Sequence, residues 1–208
     1  LILRQQGSDT ILQNLFIDLK QSGQLNLSGA RKKIDNFFVT DLTLTSKFLD
    51  IELFKHLWPK QLASKTSLWM NRHISSGSFG ESQLNLMISE QEEQPKLVSV
   101  TGDVLFNNAQ FSLYQNLTPA TSMSGLLKFE DNHLTLNIEK GQIEHLSVNQ
   151  AKIGFGPLFL VSRERDLNVR LIAKGDVSTV LSVLGHPRIN QLKKLKLEDK
   201  PVAGEIEF

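Results

Sequence analysis

Five histidines, His56, His73, His133, His145 and His186, are the side chains here best suited to move a proton near neutral pH or to bind a metal. Their spacing contains neither His-x-His nor His-x-x-x-His, the intervals that aim two ring nitrogens at one ion. The chain has no cysteine, which removes thiolate zinc sites, thiol nucleophiles and disulfide frameworks together. No Gly-x-Ser-x-Gly elbow occurs, and no serine is followed by a lysine three residues later. Gly154-Phe155-Gly156 is too short for a phosphate loop and lacks its Lys and Ser/Thr. Glu90, Glu92 and Glu93 form an acidic cluster of the kind that is ordinarily solvated. His73 falls on a helical stripe with Leu62 and Trp69, which reads as a partly buried, hydrogen-bonded residue and not as a ligand. The expectation is a protein with no catalytic, metal-binding or cofactor-binding residues.

Charge narrows the partners. The 23 basic and 22 acidic side chains leave a formal net charge of +1. Arg31-Lys32-Lys33 and Lys193-Lys194 are short and read as solvated faces, so nucleic acid is not expected as a partner. Hydrophobic residues make up 40% and charged residues 22%, enough apolar material for a folded core. No run of about 18 apolar residues marks a membrane-spanning helix. The chain opens on Leu1-Ile2-Leu3 and closes in the strand-like Gly204-Glu205-Ile206-Glu207-Phe208, and residues 1–208 are read as a single segment of a longer protein.

The elements that would position any site are mainly β. Leu15, Ile17 and Leu19 alternate with Phe16, Asp18 and Lys20, and Gln21-Ser22-Gly23-Gln24 supplies a hairpin turn before Leu25 and Leu27. Phe38, Thr40, Leu42 and Leu44 form the next run; Phe48 to Lys55 fits either strand or helix. Further on, Leu84, Leu86 and Ile88 share a face, as do Val98, Val100, Val104 and Phe106, then Leu134, Leu136 and Ile138. Ser89 to Lys96 reads as a loop, Asn107 to Ser124 as loop-rich, and both Glu130-Asp131-Asn132 and Lys140-Gly141-Gln142 as turns. The spacing predicts ten to twelve antiparallel strands of five to seven residues.

Two short helices complete the expectation. The first opens at Trp58-Pro59, carries Leu62, Trp69 and His73 on one stripe, and is stopped by a turn at Ser75 to Ser78. The second is capped by Asp176, buries Val177, Val180, Leu181 and Leu184, and ends at Gly185 before Pro187. Two such helices cover only part of a ten-strand sheet. The rest of its apolar face must close on itself, pair with further chain, or stay open as a groove for an apolar ligand.

The order of these features resembles the AsmA-like family, near its YhdP/TamB-like branch. The resemblance is carried by Leu57-Trp58-Pro59, Leu62-Ala63, Trp69, Ile74 and Gly77, then Gly102-Asp103-Val104-Leu105-Phe106, Ala109, Tyr114 and Leu117. It continues through Gly125-Leu126-Leu127-Lys128-Phe129, Leu134-Thr135-Leu136, Gly141, Val148-Asn149-Gln150-Ala151, and Lys174-Gly175-Asp176 to Leu184 and Pro187. It spans about residues 40–208, with Thr118 standing as a departure between Leu117 and Pro119. It implies a periplasmic protein whose parent is anchored in the inner membrane, and a long curved antiparallel sheet forming an open apolar groove. The function implied is bridge-like transport of phospholipid between inner and outer membranes, with outer-membrane biogenesis and envelope proteins as context and partners.

On that reading the groove that meets phospholipid acyl chains is lined by Leu84, Leu86, Ile88, Val98, Val100, Val104, Phe106, Leu127, Phe129, Leu134, Leu136 and Ile138. Trp58, Leu62 and Trp69 place the first helix at the groove rim. Ten strands at about 4.8 Å each give roughly 50 Å, more than one bilayer core of about 30 Å and too little to join two membranes. The rival reading is a structural or assembly module for outer-membrane biogenesis that conducts no lipid. A hydrolase or carbohydrate-binding domain is the weakest of the three.

Overall fold

The computed structural model describes residues 2–7, 9–57, 64–91, 94–112, 118–130, 133–156, 166–185 and 205–207. Its strands follow one another as β1 (Ile2–Gln6), β2 (Asp9–Asp18), β3 (Gly23–Ile34) and β4 (Phe37–Asp50). Helices α1 (Ile51–Leu57) and α2 (Ser64–His73) come next. Then follow β5 (Ile74–Gln91), β6 (Gln94–Phe111), β7 (Ala120–Glu130), β8 (His133–Ile143), β9 (Leu146–Gly156) and β10 (Asp166–Asp176), with helix α3 (Val177–Gly185) and β11 (Glu205–Glu207) last. The eleven strands form one sheet in chain order, each antiparallel to the next, with β1 and β11 as its two edges. The sheet is therefore a meander left open, as an alternating sequence with short connections requires.

Strand number agrees with expectation, and strand length does not: β5 and β6 each run 18 residues. The polar stretches read as loops are paired strand. Ser89 is opposite Lys96, Glu90 opposite Pro95 and Gln91 opposite Gln94, so residues 89–91 and 94–96 are paired strand of the β5–β6 hairpin. The ends of Asn107 to Ser124 belong to β6 and β7, where register shifts follow Phe106. There Asn108 and Ser122 adopt left-handed φ values of 51° and 52°. Such residues mark β-bulges, which bend a strand without ending it. Lys140-Gly141-Gln142 likewise lies inside β8, and the chain reverses later, at Glu144-His145.

Among the described residues there are three α-helices where two were expected. The additional one, α1, is started by Asp50, whose Oδ1 accepts the backbone N–H groups of Glu52 (2.8 Å) and Leu53 (3.1 Å). Within it the buried Lys55 ammonium donates to the Ile74 carbonyl and to Glu52. Trp58, Pro59 and Leu62 lie outside the described residues. Trp69 is in α2, with its side chain outside them. The Ser75 to Ser78 run ends α2 as strand instead of turn, with Gly77 at φ 125° beside two register shifts against β6. The second predicted helix stands as α3, with Asp176 accepting the Thr179 N–H at 2.8 Å.

A candidate apolar groove

Pairing register divides the sheet into rows that cross it from strand to strand. One row reads Leu15, Leu27, Leu44, Leu84, Gly102, Phe129 and Leu134 from β2 to β8. The next on the same face reads Ile17, Leu25, Ser46, Ser82, Val104, Leu127, Leu136 and Ile153. Between them, displaced by one residue, runs Phe16, Asn26, Thr45, Gln83, Asp103, Lys128 and Thr135. Since successive side chains point to opposite faces, the sheet has one aliphatic and one polar side over at least seven strands.

Burial on the aliphatic face is graded along the strands. Nearest the helices, Leu49, Phe79, Phe106, Ile138 and Ala151 form a row that is fully buried, with Phe106 only 1% exposed. Gly125 completes this row between Phe106 and Ile138, and a Cβ there would stand 2.0 Å from the Asn137 carbonyl oxygen. Ile51 of α1 and Met70 of α2 join that core. Ring contacts reinforce it: Phe54 on Phe79, and Phe106 on Phe111 with centroids 6.0 Å apart at 86°. In the row of Leu44 and Leu84 every residue is half-buried, and beyond it Leu12, Gly29, Leu42 and Leu86 are half-buried as well.

The predicted lining residues separate accordingly. Leu84, Leu86, Leu127, Phe129, Leu134 and Leu136 lie on the half-buried part, accessible to an apolar partner. Val104, Phe106 and Ile138 lie on the same face but inside the packed core, so their expected direct contact with ligand is corrected. Ile88 and Val100 are on this face and buried, at the end away from the helices. Val98 does not share their row: Leu97 pairs with Ile88 and Ser99 with Met87, leaving Val98 as the extra residue of a bulge, 40% exposed. A period-two count slips by one at such a place, which is why alternation misassigned it. The reading also missed Leu15, Leu27 and Leu44, which extend the apolar row to β2; the same alternation carries them.

Glycine shapes the middle of this surface. Gly102 stands between Leu84 and Phe129 at φ 127°, and a Cβ added to it would fall 2.1 Å from the Gln83 carbonyl oxygen. The position admits no side chain and leaves a gap in the row.

At the margin nearest the β5–β6 hairpin, charge enters the aliphatic face. Arg31 Nη2 donates to Glu90 Oε2 at 2.7 Å across β4, with the guanidinium carbon 4.0 Å from the Phe38 ring centroid. On the polar face Lys128 and Glu130 pair at 2.5 Å, which raises the lysine pKa and lowers that of the glutamate through their shared hydrogen bond.

Among the described residues, His56, His73, His133 and His145 lie on separate elements. His73 is half-buried and bonds through Nδ1 to the Ser112 carbonyl at 2.5 Å, in keeping with its expected structural role. His56 Nδ1 lies 2.7 Å from the Glu52 carbonyl, and His186 falls outside the described residues. Among the described residues no group of three His, Asp or Glu could hold a metal ion, and no helix is long and apolar enough to cross a membrane. Comparison of the chain with family models, curated proteins and solved structures gives no match.

Proposed function

We propose that this chain is a segment of a periplasmic, bridge-like lipid transport protein of AsmA-like type, shielding phospholipid acyl chains on the aliphatic face of its sheet. The observation that carries the reading is the half-buried row from Leu15 through Leu44 and Leu84 to Leu134. It continues across seven strands, an estimated span of about 29 Å. A half-buried aliphatic surface of this length gains free energy when apolar chains displace water from it, and the contact needs no catalytic group. The parent protein, anchored in the inner membrane, would join such segments toward the outer membrane.

Two measurements test the proposal. Mass spectrometry of the chain purified from a double-membraned bacterium should find co-purified phospholipid. A photocrosslinker at Leu84 or Phe129 should label lipid, while one at the adjacent polar-face positions Gln83 or Lys128 should not. Absence of lipid in both assays would leave the sheet as an assembly scaffold.

A further inference from the structure

The ion pair at the margin of the aliphatic face is built for more than joining strands. Arg31, Phe38 and Glu90 all lie on the face that carries Leu27, Leu42, Leu44, Leu84 and Leu86, because each is an even number of residues away from them on its strand. Lys33, directly opposite Phe38, belongs to the same face. Two cations and one carboxylate therefore stand at the end of a mainly aliphatic face, leaving one positive charge in excess among these residues. Lys32 alternates to the other face and does not contribute.

Arg31 is held but not saturated. A guanidinium offers five N–H donors. Glu90 takes a bond from Nη2, and Nε is buried with no hydrogen-bond partner among the described residues. The guanidinium carbon lies over the Phe38 ring, and 42% of the Arg31 side chain remains exposed against 28% for Glu90. A planar, oriented guanidinium with donors to spare is suited to a tetrahedral oxyanion, which can accept two of its N–H groups at once.

Position selects which oxyanion. Leu27 precedes Arg31 by four residues along β3, about 13 Å at strand rise, so an acyl chain that leaves the leucine row along β3 would carry its polar end to Arg31. We infer that Arg31 and Lys33 form a phosphate-recognition site for the headgroup of a lipid whose chain lies on the half-buried leucines, with Glu90 orienting the guanidinium and yielding to the phosphate. This inference rests on the proposed acyl-chain function and adds a headgroup preference to it.

The test titrates the chain with two monoacyl lipids of equal chain length, a monoacylglycerol phosphate and the matching monoacylglycerol, below their micelle concentrations, and with inorganic phosphate. The wild-type chain should prefer the phosphate lipid. Arg31→Gln should weaken that lipid about tenfold, the worth of one charge-assisted hydrogen bond, and leave the monoacylglycerol unchanged. Arg31→Lys should recover part of the loss, and Glu90→Gln should tighten the phosphate lipid by removing its internal competitor. Should Arg31→Gln fail to fold, Glu90→Gln decides. Equal binding of the two lipids by the wild type overturns the headgroup site and leaves acyl-chain binding standing. Binding of neither removes both. Inorganic phosphate competing as well as the phosphate lipid would make this a free-anion site and overturn the inference.

Discussion

Phe54 of α1 stands edge-on to Phe79 of β5, with ring centroids 5.0 Å apart and planes at 87°. This contact marks two regimes on one sheet face: below the helix the apolar rows are sealed, and the row from Leu15 through Leu44 and Leu84 to Leu134 is half open. Phe54→Ala removes the ring that joins helix to sheet. A half-buried phenylalanine in an edge-to-face pair should cost about 2–3 kcal/mol, short of the fully buried range. Urea unfolding should show a lower midpoint with an unchanged slope, since the folded area lost is small.

Close strand approach makes a second prediction at Gly125, where a methyl group would strike the backbone of the neighbouring strand β8. Backbone cannot rotate away as a side-chain tip can. Gly154, by contrast, has only the Asn168 Cβ at 3.9 Å in its way. Gly125→Ala should destabilise the chain by about 1–3 kcal/mol or more, and Gly154→Ala should lie within the scatter of surface substitutions. Paired thermal melts of the two variants decide it.

Acid should act on α3 through Asp176. Hydrogen bonds from the Ser178 hydroxyl, then from the Thr179 hydroxyl and backbone N–H, hold its carboxyl well below the ordinary aspartate range. A carboxylate depressed by folding contributes stability that is fully present above its unfolded pKa of about 3.9 and lost as pH falls toward the folded value. Asp176→Asn keeps a capping acceptor but has no proton to gain. The wild-type chain should therefore lose stability relative to Asp176→Asn as pH falls from about 5 to 2, followed by denaturant midpoints.

Much of this fold can be read from period-two alternation, because a sheet solvated on one side must sort its residues by face. Leu134, Leu136 and Ile138 fall on the aliphatic face as counted, and Asp176 starts its helix as expected. What alternation cannot reveal is how deeply a residue is covered. Leu136 and Val104 differ in burial although both belong to one row, since cover depends on the neighbouring rows and on where α1 and α2 lie. Nor does it survive a bulge. Asn108 and Ser122 lie inside continuous strands where local sequence reads loop, and Val98, counted in phase with Val100, is the extra residue of a bulge. Arg31 and Glu90 are 59 positions apart, a pairing that only the register across β4 discloses.

The contrast between Leu136 and Val104 supplies the sharpest functional prediction. Both occupy the row that runs from Ile17 to Ile153, yet Val104 is only 5% exposed within the packed core. Val104→Asp would bury a carboxylate without a partner, a change expected to cost several kcal/mol and to unfold a marginally stable sheet. Leu136 is half-buried. A lysine there can extend its ammonium to water along its own aliphatic stem, so Leu136→Lys should keep the far-ultraviolet circular dichroism of the wild type. If acyl chains lie on the leucine rows, that folded variant should bind a monoacylglycerol about tenfold or more weakly, because a charged group must be desolvated beneath the chain. A folded Leu136→Lys protein with wild-type affinity would show that the chains lie elsewhere, and a folded Val104→Asp protein would show that the face is open down to the helices.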